Sequence, residues 1–254
     1  MKTLQLTVND RMALIGFNRG KSNALNFEML QEFGSLLNNI EQDESIAGII
    51  IHGKERFFSS GLDLIELYDY DEQQIRDFWK LFLEVVETFV SFKKPAIAAI
   101  NGHSPAGGCV IALCCDYRIM NQGDFIIGLN EIPVGLIVPS SIFSLYSFWL
   151  GERKAYQYLI EGKLLSPDEA LQDNLVDQVV DSTRLRLEAE KKLQTYIQFD
   201  ANAWQQSKLN MRREMIASFK EKDDELINTL LKQWWDPSTR SILKTIINNL
   251  TEKK

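Results

Sequence analysis

The chain has 254 residues, 45% hydrophobic and 25% charged, an ordinary globular composition with enough length to bury a sizeable core. Its 28 lysines and arginines stand against 35 aspartates and glutamates, a formal net charge of −7. That balance speaks against a nucleic acid or an anionic membrane as partner, and it leaves room for a small basic pocket around a phosphorylated ligand.

Residues 4–8 and 12–17 alternate apolar and polar around Asn9, Asp10 and Arg11, which predicts a two-stranded hairpin. Asn26 is placed to cap a helix in which Met29, Leu30, Phe33, Leu36, Leu37 and Ile40 recur at helical spacing. AGIIIHG (47–53) is short, apolar and β-branched, as a buried strand is, and FFSSGLDL (57–64) then forms a loop turning on Gly61. Ile75, Phe78, Trp79, Phe82, Val85, Val86 and Phe89 predict a long helix over 71–92. PAIAAIN (95–101) reads as a second buried strand, GGCVIALCC (107–115) as a helix, DYRIM (116–120) as a strand and DFIIGL (124–129) as one more. SPDEA (166–170) opens a helix, with Ser166 as cap, Pro167 in the first turn and Glu169 at the reciprocal position. LVDQVV (175–180) is a short strand, and from about 184 the pattern is helical through 184–198, 203–220, 223–235 and 237–250. These elements predict an α/β fold of strand–strand–helix turns over 1–183 and a helical C-terminal region over 184–254. The large apolar residues of that region suit packing on another subunit or on the chain's own core, and both readings stay open.

Cys109, Cys114 and Cys115 crowd into one apolar segment with no CxxC pair, which suits a reducing compartment and thiols that act as small apolar side chains. The N-terminal residues alternate like a strand, without the apolar run of a signal peptide or the arginine-rich pattern of a transit peptide. No apolar run is long enough to span a bilayer, and the terminal TEKK is not a peroxisomal address. A cytoplasmic location without membrane contact is the expectation.

A strand that leads through NGHSPAGG into a helix directs the unpaired N–H groups of the helix start into the loop. Gly107 and Gly108 carry no Cβ, so a negative oxygen could approach the backbone there. Equally, the two glycines could serve only to let strand and helix pack tightly. The surrounding residues are not a dinucleotide fingerprint, a P-loop or a G-x-S-x-G elbow. The loop at Gly61 also follows a buried strand and could turn the Leu62 N–H inward. Two such donors converging on one oxygen make an oxyanion hole, although spacing alone does not bring them together. Glu131, in IGLNEIPVGLIVP (127–139), is a lone carboxylate among apolar neighbours. Burial there disfavours the charged form and raises the pKa toward that of a general base working near neutrality.

KPAIAAINGHSPAGG together with FFSSGLDL resembles the crotonase (enoyl-CoA hydratase/isomerase) superfamily. Within it, SPAGGCVIALCCDYRIM and IGLNE…VGLIVP resemble the mitochondrial-type Δ3,Δ2-enoyl-CoA isomerases, and the similarity extends over nearly the whole chain. The resemblance implies a spiral of ββα turns, a helical C-terminal region that mediates a homotrimer or a dimer of trimers, and an acyl-CoA substrate. It implies no separate cofactor, since coenzyme A is part of the substrate. The matching oxyanion-hole positions are Leu62 and Gly107, Ser60, Gly61, Leu62, Asp63 and Leu64 match the segment lining the thioester site, and Asn130 matches a position beside the acyl chain. Hydratases of the family carry a first glutamate three residues after the oxyanion-hole glycine, which is Val110 here, and a second at the position of Glu131. Keeping one carboxylate and lacking the other is the isomerase pattern.

Other residues carry weaker expectations. His103 could be a base, but a loop residue with a satisfied ring is the plainer reading, and His52 sits in a strand with no evident partner. Asp63 suits a local hydrogen-bonding role, Asp116 and Arg118 suit a structural pair or cap, and the aromatic stripe over 71–92 suits the core or an acyl tunnel. Besides the isomerase, a crotonase-type hydratase, thioesterase or decarboxylase stays open, as does a non-catalytic acyl-CoA-binding protein.

Overall fold

The computed structural model describes residues 1–220 and 224–252; the first residue of the helix expected over 223–235 and the last two of the C-terminal region lie outside them. Strands β1 (Leu4–Asn9) and β2 (Met12–Phe17) form the expected hairpin, closed by Asp10 and Arg11 at φ 43° and 66°. Paired positive φ angles match the twist of a two-residue hairpin. Helix α1 (Phe27–Gln42) starts at Asn26, whose side chain accepts from the Met29 N–H at 3.0 Å. Strand β3 (Gly48–His52) and short helix α2 (Leu64–Tyr68) follow, then α3 (Glu72–Val90), opened by reciprocal bonds of 2.8 Å between Asp71 and Gln74. The chain continues through β4 (Ala96–Ile100), β5 (Ser104–Pro105), α4 (Gly107–Cys114), β6 (Tyr117–Asn121) and β7 (Ile127–Gly128). Helices α5 (Ser140–Leu150), α6 (Glu152–Glu161) and α7 (Pro167–Gln172) lead to β8 (Gln178–Val180), and α7 has the expected Ser166–Glu169 cap. The C-terminal helices are α8 (Leu185–Tyr196), α9 (Ala201–Met211), α10 (Arg213–Lys220), α11 (Asp224–Trp234) and α12 (Pro237–Glu252).

Six strands form one sheet in the order β1-β2-β3-β4-β6-β8, parallel apart from the first hairpin, and β5 pairs with β7 in a separate two-stranded ladder. Strand alternation divides the apolar side chains between two faces. Ile15, Ile49, Ile51, Ala98 and Met120 join the main core with α1, α3 and α4, whereas Leu14, Ile50, Ile97 and Ile119 meet Leu185, Ala189 and Leu193 of α8. The aromatic stripe of α3 is core: Phe78 and Phe89 are fully enclosed. This mixed α/β architecture is the expected one.

Local differences have physical reasons. DFIIGL contributes only the two-residue β7, because Gly128 at φ 147° leaves the strand conformation; the segment pairs with β5 and through a single bridge with Leu165. The helix expected over 203–220 breaks at Arg212, which turns inward to donate to the Cys114 carbonyl at 2.8 Å and to Asp116 at 3.0 Å. Asp116 and Arg118 are not each other's ion-pair partners. Arg118 pairs with Asp177 at 2.6 Å, brought by the segment leading into β8, and Asp116 pairs with Lys208 at 2.8 Å and with Arg212. Burial pushes the Lys208 ammonium down to about 8 against the opposing pull of Asp116.

Candidate active site

The two glycine loops meet. Gly61 has φ 85°, and a Cβ placed on it would lie 3.0 Å from the Ala106 Cβ and 3.2 Å from the Gly107 nitrogen. Gly108 is needed for packing, since a Cβ there would come within 2.4 Å of the Ser59 carbonyl oxygen. Gly107 opens α4, so its N–H is one of those a helix start leaves without an intrahelical acceptor. Ala106 precedes it at φ 49° and ψ −124°, a conformation that costs an L-residue on the order of 1–3 kcal/mol. That turn sets the peptide plane carrying the Gly107 N–H, and the Ala106 N–H is anchored on the Gly128 carbonyl at 2.8 Å. Among the described residues, neither the Leu62 N–H nor the Gly107 N–H meets an acceptor in the hydrogen-bond network.

The Leu62 loop is fastened on both sides. Leu25 donates to the Gly61 carbonyl at 2.8 Å and accepts from the Asp63 N–H at 2.9 Å. Asp63 caps α2 by accepting from the Glu66 N–H at 3.1 Å, the local role expected of it. It also takes Arg19 at 2.6 Å, and Arg19 reaches Glu66 at 2.6 Å. Glu66 accepts from the Asn26 amide at 2.9 Å and the Tyr70 hydroxyl at 2.6 Å, so five side chains brace the loop.

Glu131 follows β7 and opens a 3₁₀ turn (Ile132–Val134), where its carbonyl accepts from Val134 at 3.1 Å and Leu136 at 2.9 Å. The residue as a whole is half-buried, yet its Oε2 is sealed from solvent and has no hydrogen-bond partner. Burial pushes the carboxyl up to about 7, with a smaller opposing effect from its own backbone N–H.

A cavity of about 790 Å³ has Ser60, Leu62, Asp63, Leu64, Asn130 and Glu131 in its wall. Ala106 lines it too, while Gly61 and Gly107 lie buried behind that wall. Sequence reasoning missed Arg19 and Lys21 of the β2–α1 loop and Ile246 and Leu250 of α12, all of which line the same cavity. Lys21 and Arg19 follow a strand whose C-terminal end points this way, a signal available in hindsight, whereas nothing local marks α12. A separate apolar groove of about 510 Å³ around Trp149 and Trp204 contains none of these residues.

The remaining candidates lie elsewhere. The His103 ring sits between Phe57 and Phe125, with centroids 5.1 and 5.3 Å away, and its Nδ1 accepts from the Ile126 N–H at 3.3 Å. Burial lowers its pKa, with a smaller contribution from Arg56. It is the satisfied loop residue. The His52 Nδ1 lies 3.0 Å from the Gly53 carbonyl. Val110 is 1% exposed within the main core.

Residues 7–242 match the enoyl-CoA hydratase/isomerase family. The chain is 36% identical over 193 residues to the mitochondrial enoyl-CoA delta isomerase 1 of Mus musculus, covering 75% of this chain and 67% of that one. It is 33% identical over 180 residues to a probable enoyl-CoA hydratase of Bacillus subtilis, covering 69% and 68%. The crystal structure of human mitochondrial Δ3-Δ2-enoyl-CoA isomerase superposes with a TM-score of 0.96 at 29% identity, over 99% of both chains.

Proposed function

The chain belongs to the enoyl-CoA hydratase/isomerase family, and from that membership we propose that it is a Δ3,Δ2-enoyl-CoA isomerase, moving the double bond of a 3-enoyl-CoA to the 2-trans position in fatty-acid β-oxidation. The observation that carries this reading is Glu131, a single carboxyl pushed up to about 7 in the same cavity as Leu62 and Ala106. The C2 proton of the substrate is both α to the thioester and allylic. The Glu131 carboxylate removes it, the C–H electrons pass into a dienolate, and the resulting carboxylic acid returns the proton at C4. One group near the middle of a three-carbon unit serves both ends.

The dienolate oxygen rests on the Leu62 and Gly107 N–H groups, each donor contributing about 3 kcal/mol. Ser60, Asp63 and Leu64 form the thioester wall with Gly61 behind it, and Asn130 stands beside the acyl chain. Arg19 and Lys21 suit the phosphates of coenzyme A, and Ile246 and Leu250 offer apolar contact to the acyl group. Proton transfer between two carbons of one molecule calls for no separate cofactor. Assembly as a homotrimer or a dimer of trimers and a cytoplasmic location belong to the same proposal, checked by light scattering and by cell fractionation.

The Bacillus subtilis relative favours a second reading, hydration. Adding water calls for a second acid/base, and Val110 is enclosed in the core where the family's hydratases carry it. The test is Glu131→Gln, assayed by the absorbance of the conjugated thioester formed from 3-enoyl-CoA. Turnover should fall about 10³-fold with acyl-CoA affinity held within about three-fold. Near-wild-type turnover would remove Glu131 from its role, and faster consumption of 2-enoyl-CoA by wild type would put hydration in first place.

A further inference from the structure

Among the enclosed side-chain atoms without a hydrogen-bond partner are the Glu131 Oε2 and the Tyr146 hydroxyl. Tyr146, on α5, is 0% exposed, one of the largest fully buried side chains of the molecule. An enclosed tyrosine hydroxyl or carboxyl oxygen without a hydrogen bond bears its full desolvation cost. The two groups sit on neighbouring elements: α5 packs on α4 and on α6, and α6 packs on the 3₁₀ turn that Glu131 opens. In keeping with that placement, the Glu131 charge adds to burial in raising the pKa of the Tyr146 hydroxyl and of the Cys109 thiol in the first turn of α4. Tyr146 has only a donor to offer a carboxylate, and Glu131 has a free acceptor.

We propose that Tyr146 is a positioning residue for Glu131: its buried hydroxyl donates a hydrogen bond to the Glu131 carboxyl, directly after a side-chain turn or through one enclosed water, and fixes that carboxyl's orientation toward the reacting carbons. The assignment rests on the isomerase reading only for the identity of those carbons. Of the ionisable groups that act on the Tyr146 hydroxyl, which are Cys109, Glu131, Tyr158 and Asp173, Glu131 is the one with an unpartnered oxygen. Tyr158 of α6 already donates to Asp173 at 2.5 Å, and Asp173 is also held by Lys154 at 2.7 Å. The Cys109 thiol takes a backbone bond from Gly128, and the charge of Arg118 also opposes the effect of burial on it. On α10, which packs on α5, Met215 and Phe219 are buried, while Arg213 and Glu214 line a groove beside Ser147.

Tyr146→Phe removes the hydroxyl and keeps the ring. Donation to a carboxylate favours its ionised form, so its loss should raise the apparent pKa of the base by about one pH unit. The acid limb of kcat/KM then moves up by that amount, turnover on that limb falls by up to about ten-fold, KM stays within about two-fold, and activity approaches wild type at pH 9. A purely structural tyrosine would lower Tm without moving the limb, and that result overturns the proposal. A second measurement needs no turnover. The infrared carboxyl band that Glu131→Gln deletes should titrate at higher pH in Tyr146→Phe and, in wild type, lie at the frequency of a hydrogen-bonded carboxyl. A free-carboxyl frequency in wild type, or an unmoved midpoint in the variant, overturns the assignment. Absence of isomerase turnover in wild type would sink the isomerase reading alone, leaving the infrared result to decide Tyr146.

Discussion

Gly61 and Gly107 belong to loops 46 residues apart in sequence, yet a single methyl group on Gly61 would lie 3.2 Å from the Gly107 nitrogen. The Leu62 and Gly107 N–H groups, neither of which meets an acceptor among the described residues, flank this contact. Their mutual geometry therefore depends on the absence of one methyl group.

Gly61→Ala should show that dependence. The substitution places a Cβ at φ 85° and against both Ala106 and Gly107, so the loops must separate by tenths of an ångström or more. Loss or misplacement of one oxyanion donor costs about 10²–10³ in kcat. Circular dichroism should report an intact fold while kcat drops by that factor; a variant with full activity would show that the two loops do not act on a common oxygen.

In the proposed role, the Glu131 carboxyl, pushed up to about 7, should govern activity and stability in opposite directions. As a base it must be ionised, so kcat/KM should fall about ten-fold per unit below pH 7. For stability, the folded state holds this proton more tightly than the unfolded state, whose carboxyl has the ordinary value of 4.5. The stabilising difference is fully present below 4.5 and is lost as pH rises through about 7, amounting to about 3 kcal/mol. Thermal melts of wild type and Glu131→Gln across pH 4.5–8 should show wild type losing ground to the variant as pH rises. Parallel curves would mean the carboxyl is not held in a dry site.

Arg240 fastens α12 over the cavity. Its guanidinium lies 3.4 Å from the Tyr68 ring centroid and 4.8 Å from that of Trp235, and it donates to the Tyr68 carbonyl at 2.9 Å. Arg240→Ala removes a stacked cation worth about 1–2 kcal/mol. Ile246 and Leu250 should then lose their place in the cavity wall, raising KM for a long-chain acyl-CoA by about five- to ten-fold while a short-chain substrate is little affected. Steady-state kinetics on the two chain lengths check this.

Asp116 holds two enclosed cations, Lys208 at 2.8 Å and Arg212 at 3.0 Å. Asp116→Asn leaves both charges uncompensated, and breaking such a buried set costs about 3–5 kcal/mol. Urea unfolding should show that loss in the midpoint, and Asp116→Glu, which keeps the charge, should recover part of it.

Elements defined by their own residues were legible in the sequence. The apolar β-branched run of β3, the Asn26 cap and the Ser166–Glu169 box are set by neighbours within a few positions, and each formed where it was read. Helix α5 went unread because SSIFSLYSFWL spreads its apolar residues around the axis instead of gathering them on one stripe. Long-range partnerships were less visible. Asp116 and Arg118 looked like a pair or cap because only Tyr117 separates them, whereas α9 and the segment leading into β8 supply the ion-pair partners that each one takes. The same limit applies to the site: Glu131 stood out by its apolar setting, but Arg19, Ile246 and Leu250 reach the cavity only through tertiary packing.

The three thiols have a practical consequence. Cys109, Cys114 and Cys115 are 0% exposed, and burial drives all three thiols far from the reactive thiolate form. Alkylating reagents can reach them only when the sheet and α4 come apart, since thiolate exposure governs the rate. Iodoacetamide uptake, followed by mass, therefore clocks the opening of the innermost layer, and an acyl-CoA that binds the closed form should slow that clock in proportion to its occupancy.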